Sequence, residues 1–592
     1  MKKAKHYIYG LDGLRALSVI AVIFYHLSSS FSKGGYLGVT LFFVLSGYLI
    51  TDLLFQEYAD TKKINLKQFW LRRFRRLLPA LYTLLIIIVV WITLFQRTYL
   101  VGLREDVFAA VTYVSNWWYI AQEQSYFTKF EAPSILQHLW SLAVEEQFYI
   151  LWPFFIWLGL KIVKQPIRLL LPMGVVMCAS LFAMALLYVP GADPSRLYFG
   201  TDTRLFSIVL GGMLAIVWPS RIFAERVVQK RIRVKFDSVG IVALVLVGVS
   251  FIFLPEDSIW LYRGGMGLVS LLMAIVIAVV VIPNSRLSKC LSWRPLRWIG
   301  ARSYGIYLWH FPIIILLGGG TEVLPWYKVL LVFVLTFICT VLSWHLIEVP
   351  IRYGGWQRLM NYYRRYYHTR AVRWQLFTLV TVLVIFTSGL TVAKSKDVAA
   401  KELEANLQQA AEQQQKQQAE VIVPQLAPEP PQNIVTAIGD SVLLSASEAL
   451  QASFPTVYVD AAIGRQVSDA IVVIDWLEEH ERLGDIVVIA LGSNGAFADG
   501  EIDRLVTRLG EERQIFFVTT NVPRDWRAAV NQTLQQAEQN YRTVHLINWH
   551  LAATQRTNVF YEDGIHPNKE GAQYYAEVIK NAIETKLGKI ES

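Results

Sequence analysis

The last third of the chain carries four short motifs whose side chains suit nucleophilic catalysis. They are Gly439-Asp-Ser441, Gly464, Gly492-Ser-Asn494 and Asp563-Gly-Ile-His566. A serine hydroxyl is a poor nucleophile until a histidine takes its proton. Asp563, three residues before His566, is placed to orient the imidazole and to stabilise its cation. Ser441, His566 and Asp563 are therefore candidates for nucleophile, base and orienting carboxylate.

Acyl transfer through a serine also needs hydrogen-bond donors for the tetrahedral oxyanion. The backbone N–H groups of Ser441 and Gly464 and the side-chain amide of Asn494 are three candidates. Ser441, Asp563 and His566 also have plainer explanations. Serine is a favoured N-cap at a helix start, and Asp563 and His566 suit a surface turn. The common placement of all four motifs after predicted strands favours catalysis.

Alternating strands and helices must position these motifs. Apolar runs predict strands at 433–438, 456–460, 485–491, 513–519 and 544–548, with helices at 442–452, 466–481, 500–510, 526–541 and 568–586. Such alternation predicts a parallel sheet that is covered on both faces. Ligands of these sheets bind at the carboxyl ends of the strands, which is where the motifs fall.

A second set of candidates lies in apolar surroundings, where ionisable side chains are expensive and usually face a bundle interior. Arg15 and His26 are separated by eleven residues, which places them within about 20° of one helical face and about 16 Å apart along the axis. This spacing suits a positive charge at the mouth of a channel and an acid or base at its inner end. A histidine bonded to a neighbouring helix is an equally good explanation.

Two further clusters are open to two interpretations each. His138 and Glu145 are seven residues apart and share a predicted helical face, so that they suit either a proton relay or a structural pair, and Glu146 is adjacent. Four arginines precede the third apolar run: Arg72, Arg73, Arg75 and Arg76. Ordinary inward-facing charge explains them best when they are taken alone, but guanidinium groups also bind phosphates bidentately.

The composition explains these surroundings. The 592 residues are 54% hydrophobic and 17% charged, against about 25% charged in soluble proteins, which excludes a soluble globular protein and a disordered one. Residues 1–393 hold 39 Lys and Arg against 18 Asp and Glu, whereas residues 433–592 hold 13 against 22. The basic residues fall between apolar runs rather than on a polar surface, which argues against nucleic acid as a partner.

Eleven apolar runs are long enough to span a lipid bilayer as helices. They are about 13–31, 36–55, 77–96, 136–160, 168–189, 203–218, 238–254, 260–282, 303–320, 326–347 and 374–393. With a cytoplasmic N-terminus, the inward loops hold 29 Lys and Arg by count and the outward loops about five, as the positive-inside rule requires. An odd number of spans places the C-terminal domain outside the cell.

We therefore predict a polytopic α-helical membrane domain over 1–393, an extracellular linker over 394–432 and an extracellular domain over 433–592. The linker is rich in Ala, Glu, Gln and Lys, which favours a helix, and then in proline: Pro424, Pro428, Pro430 and Pro431. None of the three cysteines has a partner at metal-ligand spacing, and we expect no metal and no bound cofactor.

Several ordered motifs resemble those of the acyltransferase-3 family of integral membrane acyltransferases. They are Gly10–Ala16, Gly35–Tyr48, Arg72–Arg76, His138–Tyr149 and Tyr304–His310, within about residues 1–350. The resemblance implies cytoplasmic acetyl-CoA as the acyl donor, delivery to an extracytoplasmic glycan, and Arg15 and His26 as site residues. The arginine cluster would suit coenzyme A phosphates, and His310 joins the residues expected to bind or relay the acyl group.

The motifs of the outer domain resemble those of the SGNH hydrolase and transferase family. This implies a flavodoxin-like α/β/α fold and a triad of Ser441, His566 and Asp563. The two-domain build resembles the peptidoglycan O-acetyltransferases of Gram-positive bacteria, which implies transfer through acetyl-Ser441 to the C6 hydroxyl of N-acetylmuramic acid in peptidoglycan glycan strands. There are three alternatives: transfer to another envelope polysaccharide, an esterase with the same triad, and a transporter with a binding domain.

Overall fold

The computed structural model describes residues 7–27, 32–122, 124, 126, 134–163, 165–190, 193–225, 229–318, 324–353, 355–393, 405–413, 435–454, 456–522, 526–556, 558–561 and 563–588. The chain divides between residues 393 and 394 into two compact units. The prolines of the predicted linker lie outside the described residues.

The first unit is helical. Its α-helices are α1 (Tyr9–His26), α2 (Leu37–Thr61), α3 (Leu66–Phe95), α4 (Leu103–Val111), α5 (Ser115–Ala121), α6 (Trp140–Val163), α7 (Leu170–Leu187), α8 (Ser195–Phe199), α9 (Thr201–Val217), α10 (Ser220–Glu225), α11 (Lys230–Phe253), α12 (Met266–Val281), α13 (Arg286–Leu291), α14 (Arg294–Ala301), α15 (Ser303–Leu316), α16 (Trp326–Ser343), α17 (Val349–Arg352), α18 (Gly355–Tyr366) and α19 (Arg370–Val392). Single 3₁₀ turns (Arg97–Leu100, Gln137–Leu139, Pro166–Leu169) and π turns (Leu261–Gly265, Trp344–Glu348) flank them.

Within the described residues, eight helical stretches are long and apolar enough to cross a membrane. They are Leu37–Thr61, Leu66–Phe95, Pro166–Leu187, Thr201–Phe223, Lys230–Phe253, Leu261–Val281, Trp326–Arg352 and Arg370–Val392. The other three predicted spans coincide with α1, α6 and α15. Asp12 and Arg15 lie within α1 and Glu145 and Glu146 within α6, and α15 has only 14 residues. The domain thus has many membrane-spanning helices, and the count of eleven stays a prediction.

Glycines allow the close packing of α2 against α9. A Cβ atom on Gly47 would lie 1.8 Å from the carbonyl oxygen of Ile208, and a Cβ on Gly211 would lie 2.0 Å from that of Val44. Each helix therefore presents a bare backbone to the other. Small residues at such crossings are how helices pack in lipid, where apolar surface alone gives no preference for a neighbouring helix.

The third span begins earlier than the sequence predicted. α3 starts at Leu66, where the Asn65 side chain accepts a hydrogen bond of 3.0 Å from the Gln68 N–H as an N-cap. The prediction that the arginine cluster precedes this helix is therefore wrong, and all four arginines lie on it. The physical reason is that Arg and Leu are good helix formers, and an asparagine cap can start a helix well before its apolar part.

The second unit contains a parallel five-stranded sheet. Its strands are β1 (Val435–Gly439), β2 (Val457–Ala461), β3 (Ile486–Ala490), β4 (Gln514–Val518) and β5 (Val544–Ile547), in the spatial order β2-β1-β3-β4-β5. All four neighbouring pairs are parallel, which confirms the predicted parallel sheet. The order is that of flavodoxin-type sheets, in which ligands bind where the strand order reverses, here beside β1 and β3.

Helices connect the strands. Residues 405–413 form helix α20, followed by α21 (Ser441–Ser445), α22 (Ser447–Ser453), α23 (Val467–Glu479), α24 (Glu501–Leu509), α25 (Arg527–Asn540), α26 (Trp549–Thr554) and α27 (Lys569–Leu587). Alternate strand residues bury into two apolar clusters, with Val488 and Phe516 in one and Val487 and Phe517 in the other. Because side chains alternate along a strand, both faces of the sheet are covered, as predicted.

The described part of the linker is helical and contacts the second unit, which is called the outer unit below because the sequence predicts that it is extracellular. On α20, Leu407 is buried in the same apolar cluster as β1 and α27. The neighbouring Asn406 donates a hydrogen bond of 2.8 Å to the Tyr561 hydroxyl. The helical character matches the composition, whereas this apolar contact was not foreseen.

Candidate active sites

The outer unit brings the predicted nucleophile, base and carboxylate together. Ser441 is the first residue of α21, and its Oγ lies 2.8 Å from Nε2 of His566. Nδ1 of His566 hydrogen-bonds to Oδ2 of Asp563. Because an ionised carboxylate only accepts, Nδ1 carries the proton and, in the neutral ring, the bare Nε2 faces the serine hydroxyl. A histidine in this orientation can take the serine proton.

Backbone donors hold the carboxylate in place. Oδ1 of Asp563 accepts hydrogen bonds from the N–H groups of Ile565 at 2.9 Å and His566 at 3.0 Å. Burial alone would raise the pKa of Asp563, but its hydrogen bond to His566, the charge of that ring and these two N–H groups lower the pKa below its ordinary value. The carboxylate is therefore ionised at neutral pH, as stabilisation of an imidazolium requires.

Asp440, not Ser441, caps α21. Its side chain accepts a hydrogen bond of 2.9 Å from the Val442 N–H. It also accepts one of 3.2 Å from the Ser493 N–H, in the loop after β3. Burial raises the pKa of Asp440. The alternative explanation of Ser441 as an N-cap is therefore wrong, and the serine hydroxyl is left to His566.

The three predicted oxyanion donors follow β1, β2 and β3: Ser441 begins α21, and Gly464 and Asn494 lie in loops. Among the described residues, the N–H groups of Ser441 and Gly464 have no hydrogen-bond acceptor. Gly464 has φ +77°, a conformation that only glycine adopts readily. The Asn494 amide donates one hydrogen to the Arg465 carbonyl at 3.3 Å. Its second hydrogen is then left for another acceptor. Their use as an oxyanion hole stays a prediction.

In the helical unit, His26 lies against a second histidine. Nδ1 of His26, at the end of α1, is 2.8 Å from Nε2 of His310 on α15, and Nε2 of His26 is 2.8 Å from the Tyr126 hydroxyl. Nδ1 of His310 lies 2.7 Å from the Tyr307 carbonyl, which only accepts, so this nitrogen carries a proton. When both rings are neutral, His26 donates to His310 and its bare Nε2 accepts from Tyr126.

The residues around the start of α6 have separate partners. His138 lies on the 3₁₀ turn before the helix, and its Nε2 is 3.1 Å from the Leu308 carbonyl. Glu145 on α6 accepts a hydrogen bond of 2.9 Å from Ser46. His138 and Glu145 therefore do not share a face of one α-helix, because the chain tightens before α6 begins. Glu146 is buried on α6.

Two cavities of the helical unit meet at three arginines. The larger has a volume of about 1000 Å³, and Arg15, Arg73 and Arg76 line both it and the smaller cavity. Arg72 instead pairs with a glutamate of α2 at 3.3 Å, and Arg75 lines neither of these cavities. Helix geometry explains the division, because residues 73 and 76 are three apart and lie on one face of α3.

The smaller cavity extends from these arginines to Glu145, Ser141 and Tyr307. The Tyr307 hydroxyl hydrogen-bonds to Ser141 at 2.6 Å, and the Tyr307 ring lies 5.4 Å from that of His310. The arginines line both cavities and Glu145 lines the smaller one. His310 lies beside Tyr307 of the smaller cavity, and His26 contacts His310. Residues that the sequence singled out separately therefore lie next to one another.

Sequence reasoning missed part of each site. Four more arginines line the larger cavity: Arg294, Arg297, Arg302 and Arg352. In the sequence they were indistinguishable from ordinary inward-facing charge. Tyr126, the hydroxyl partner of His26, lies 100 residues away along the chain, and no local pattern marks it. Arg465 could have been noticed only as the neighbour of Gly464.

Comparison with known proteins gives one family and close relatives over nearly the whole length. The acyltransferase domain family, acyltransferase-3, matches residues 8–345. Peptidoglycan O-acetyltransferase OatA of Listeria monocytogenes is 38% identical over 98% of this chain and 99% of its own. O-acetyltransferase OatA of Staphylococcus aureus is 34% identical over 98% and 96%.

Among solved structures, the C-terminal catalytic domain of Streptococcus pneumoniae peptidoglycan O-acetyltransferase A, with a methylsulfonyl adduct, matches 26% of this chain and 95% of its own, with 22% identity and a TM-score of 0.25. The family match covers more than half of the sequence, and the relatives align along both units. The chain therefore belongs to the acyltransferase-3 family and is an acyltransferase.

Proposed function

We propose that this protein is a peptidoglycan O-acetyltransferase that moves acetyl groups from cytoplasmic acetyl-CoA to the outer cell wall. One observation carries the proposal: Ser441, His566 and Asp563 form a hydrogen-bonded series on a chain whose other unit belongs to a membrane acyltransferase family. The names of the aligned relatives supply the acceptor polymer. Within it, the C6 hydroxyl of N-acetylmuramic acid is the proposed acceptor group.

The outer unit would work in two steps. Ser441 Oγ attacks the acetyl carbonyl carbon while Nε2 of His566 takes its proton, and the bond to the acetyl donor breaks as that proton passes to the leaving group. A glycan hydroxyl then attacks acetyl-Ser441, giving its proton to His566, and Ser441 leaves with a proton returned by that ring. The N–H groups of Ser441 and Gly464 and the Asn494 amide would hold the oxyanion in both steps.

We assign this unit to the SGNH hydrolase and transferase family on its four motifs and its strand order. All four motifs come after strands β1, β2, β3 and β5, although α26 lies between β5 and the Asp563 motif. The parallel sheet places the carboxyl ends of its strands at one edge, which is where such folds bind ligands.

The helical unit would bind acetyl-CoA. Its large cavity has arginines on several sides, and a guanidinium binds phosphate through two parallel hydrogen bonds. Arg15, Arg73 and Arg76 stand where that cavity meets the smaller one, so the acyl end would pass between them toward Glu145. His26, with a bare Nε2 in its neutral form, is the proposed base for acyl transfer within this unit.

Eleven spans with the N-terminus inside would complete this arrangement, because the outer unit must reach the wall. Lys and Arg are concentrated in alternate loops, as expected for that orientation. A protease site added at the C-terminus should be cut by protease outside intact cells, whereas protection of that site would overturn the orientation.

An esterase is the second candidate. Ser441 is buried, but the side chains of His566 and Asp563 are 15% and 27% exposed, so that water can reach the base beside the same nucleophile. Transfer is favoured because a unit that supplies acyl groups has no use in hydrolysis. Wall material that gains acetyl groups only when the protein is absent would support the esterase.

Mass analysis of muropeptides tests substrate and reaction together. Cells with the native protein should carry acetyl on muramic acid, and cells with Ser441→Ala should lack it at equal protein level. The matched control is Ser445→Ala, a serine of the same helix whose hydroxyl donates to the Val442 carbonyl at 2.8 Å and should be dispensable. Acetyl that is unchanged in Ser441→Ala would remove this serine from the mechanism, and acetyl found on another envelope glycan would replace the acceptor.

A further inference from the structure

The loop between β2 and α23 carries a side chain that turns back toward the sheet. Arg465, whose side chain is 10% exposed, donates from Nη1 to the carbonyl oxygens of Asp460 at 2.6 Å and Gly439 at 3.2 Å. Its Nη2 donates to the Asp460 carboxylate at 2.5 Å. One guanidinium therefore joins the carboxyl ends of β1 and β2, where the candidate nucleophile and its loop begin.

The backbone of the same residue reaches the third strand. Its carbonyl accepts the Asn494 amide at 3.3 Å, and the adjacent Gln466 side chain donates to the Asn494 carbonyl at 3.2 Å. An amide nitrogen has two hydrogens, so fixing one of them sets the direction of the other. Arg465 thus links the ends of β1, β2 and β3.

Arg465 is connected to each candidate oxyanion donor. Gly439 is two residues before Ser441, Gly464 is the preceding residue, and Asn494 is bonded to the Arg465 carbonyl. We propose that Arg465 is the positioning residue of the oxyanion hole: it fixes the relative placement of three donors without touching substrate. The inference rests on the proposed acetyl-Ser441 mechanism.

The contacts of Arg465 go beyond a plain ion pair. The Asp460 carboxylate accepts from Nη2, whereas Nη1 donates to main-chain carbonyls of two neighbouring strands. The guanidinium fork supplies several donors in fixed directions, which the single ammonium of a lysine does not reproduce. Oxyanion donors act through fixed geometry, and losing one typically lowers kcat by about 100- to 1000-fold in a well-studied protease.

The test compares four variants of the full-length protein on p-nitrophenyl acetate: Arg465→Gln, Arg465→Lys, Asp460→Asn and Arg508→Gln. Arg508 is the matched control, since it pairs with Asp475 and Glu478 on the surface of the same unit. Loss of the fork should lower kcat by about 10- to 100-fold, less than loss of a donor itself, with KM little changed. Because removing one partner of a buried ion pair also destabilises a fold, the rates are compared well below the melting temperature of every variant. Lysine should restore only part of the rate.

Asp460→Asn separates the two explanations, because it removes the charge of the pair but leaves an acceptor for Nη2 and both carbonyl contacts. It should retain most of the rate. A kcat for Arg465→Gln equal to that of Arg508→Gln would overturn the inference, as would an Asp460→Asn variant as slow as Arg465→Gln. Ser441→Ala separates failure of the inference from failure of the proposed mechanism. If this variant keeps full turnover, both fail. If it loses turnover, the mechanism holds, and the Arg465 variants alone decide the inference.

Discussion

In both histidine sites of this protein, Nε2 of the ring faces a hydroxyl group, but the group that contacts Nδ1 differs. In the outer unit, His566 directs Nε2 to the Ser441 hydroxyl and Nδ1 to the Asp563 carboxylate. In the helical unit, His26 directs Nε2 to a tyrosine hydroxyl and Nδ1 to the His310 ring. One ring is thus supported by an anion and the other, among the described residues, by a second imidazole.

The difference decides what each ring can do with a proton. A carboxylate both fixes the tautomer and stabilises the imidazolium that forms when the ring takes a proton. A neutral imidazole that donates its own N–H to the Tyr307 carbonyl fixes the tautomer but supplies no negative charge. The outer site therefore stabilises charge as well as orientation, and the inner site mainly sets orientation.

The largest expected effect separates the two sites by stage. His26→Ala should abolish acetylation of the wall, because it removes the proposed base for acyl transfer in the helical unit. The same full-length variant should turn over p-nitrophenyl acetate at the native rate, because Ser441, His566 and Asp563 are untouched. A parallel loss of both activities would show that the two histidines do not serve separate stages.

The next comparison weighs the two supports. Asp563→Asn should lower ester turnover by about 100- to 10,000-fold, the range of general acid–base catalysis, because the amide offers Nδ1 no charge and can favour the wrong tautomer. His310→Phe should lower acetyl transfer from acetyl-CoA only about tenfold, since a neutral hydrogen bond contributes about 1.4 kcal/mol at the upper end of its usual range.

His310→Gln keeps an acceptor beside His26 and should recover part of that loss, which a purely structural role would not predict. Rates of transfer from labelled acetyl-CoA, at equal amounts of protein in the membrane, provide the measurement. A loss for His310→Phe as large as that for Asp563→Asn would mean that His310 does more than orient His26.

The sequence predicted the outer unit well because its signals are local. Each strand begins and ends within about two residues of the predicted range over the described residues, since apolar runs and turn residues mark them. α26 was missed because six residues are too few for a periodic pattern. The cap at Asp440 was missed because aspartate and serine are both favoured at that position.

The helical unit shows where such signals end. His26 and His310 were each singled out, but their contact joins positions 284 residues apart, and only the packing of α1 beside α15 creates it. The arginines of α3 were treated as one cluster because nothing in their spacing said where the helix began. Once α3 is seen to start at Leu66, helical geometry divides them into two pairs.

That division gives the smallest effect and the sharpest control. Arg76→Gln removes a charge from the wall of both cavities, whereas Arg75→Gln removes the same charge from the same helix outside them. Arg76→Gln should raise the KM for acetyl-CoA about fivefold, as expected for one ion pair of about 1 kcal/mol in a cavity open to water. Ester turnover at Ser441 should not change in either variant.

High salt should reduce the difference between the two variants, because screening weakens contacts with phosphate in open cavities. Arg75→Gln should show the native KM at every salt concentration. Equal KM values for the two variants would mean that the arginines set only the orientation of the helix in the membrane. The arginines would then not bind coenzyme A on its way to His26. In that case the comparison of the two histidine sites would give no support to a route for acetyl-CoA through the helical unit.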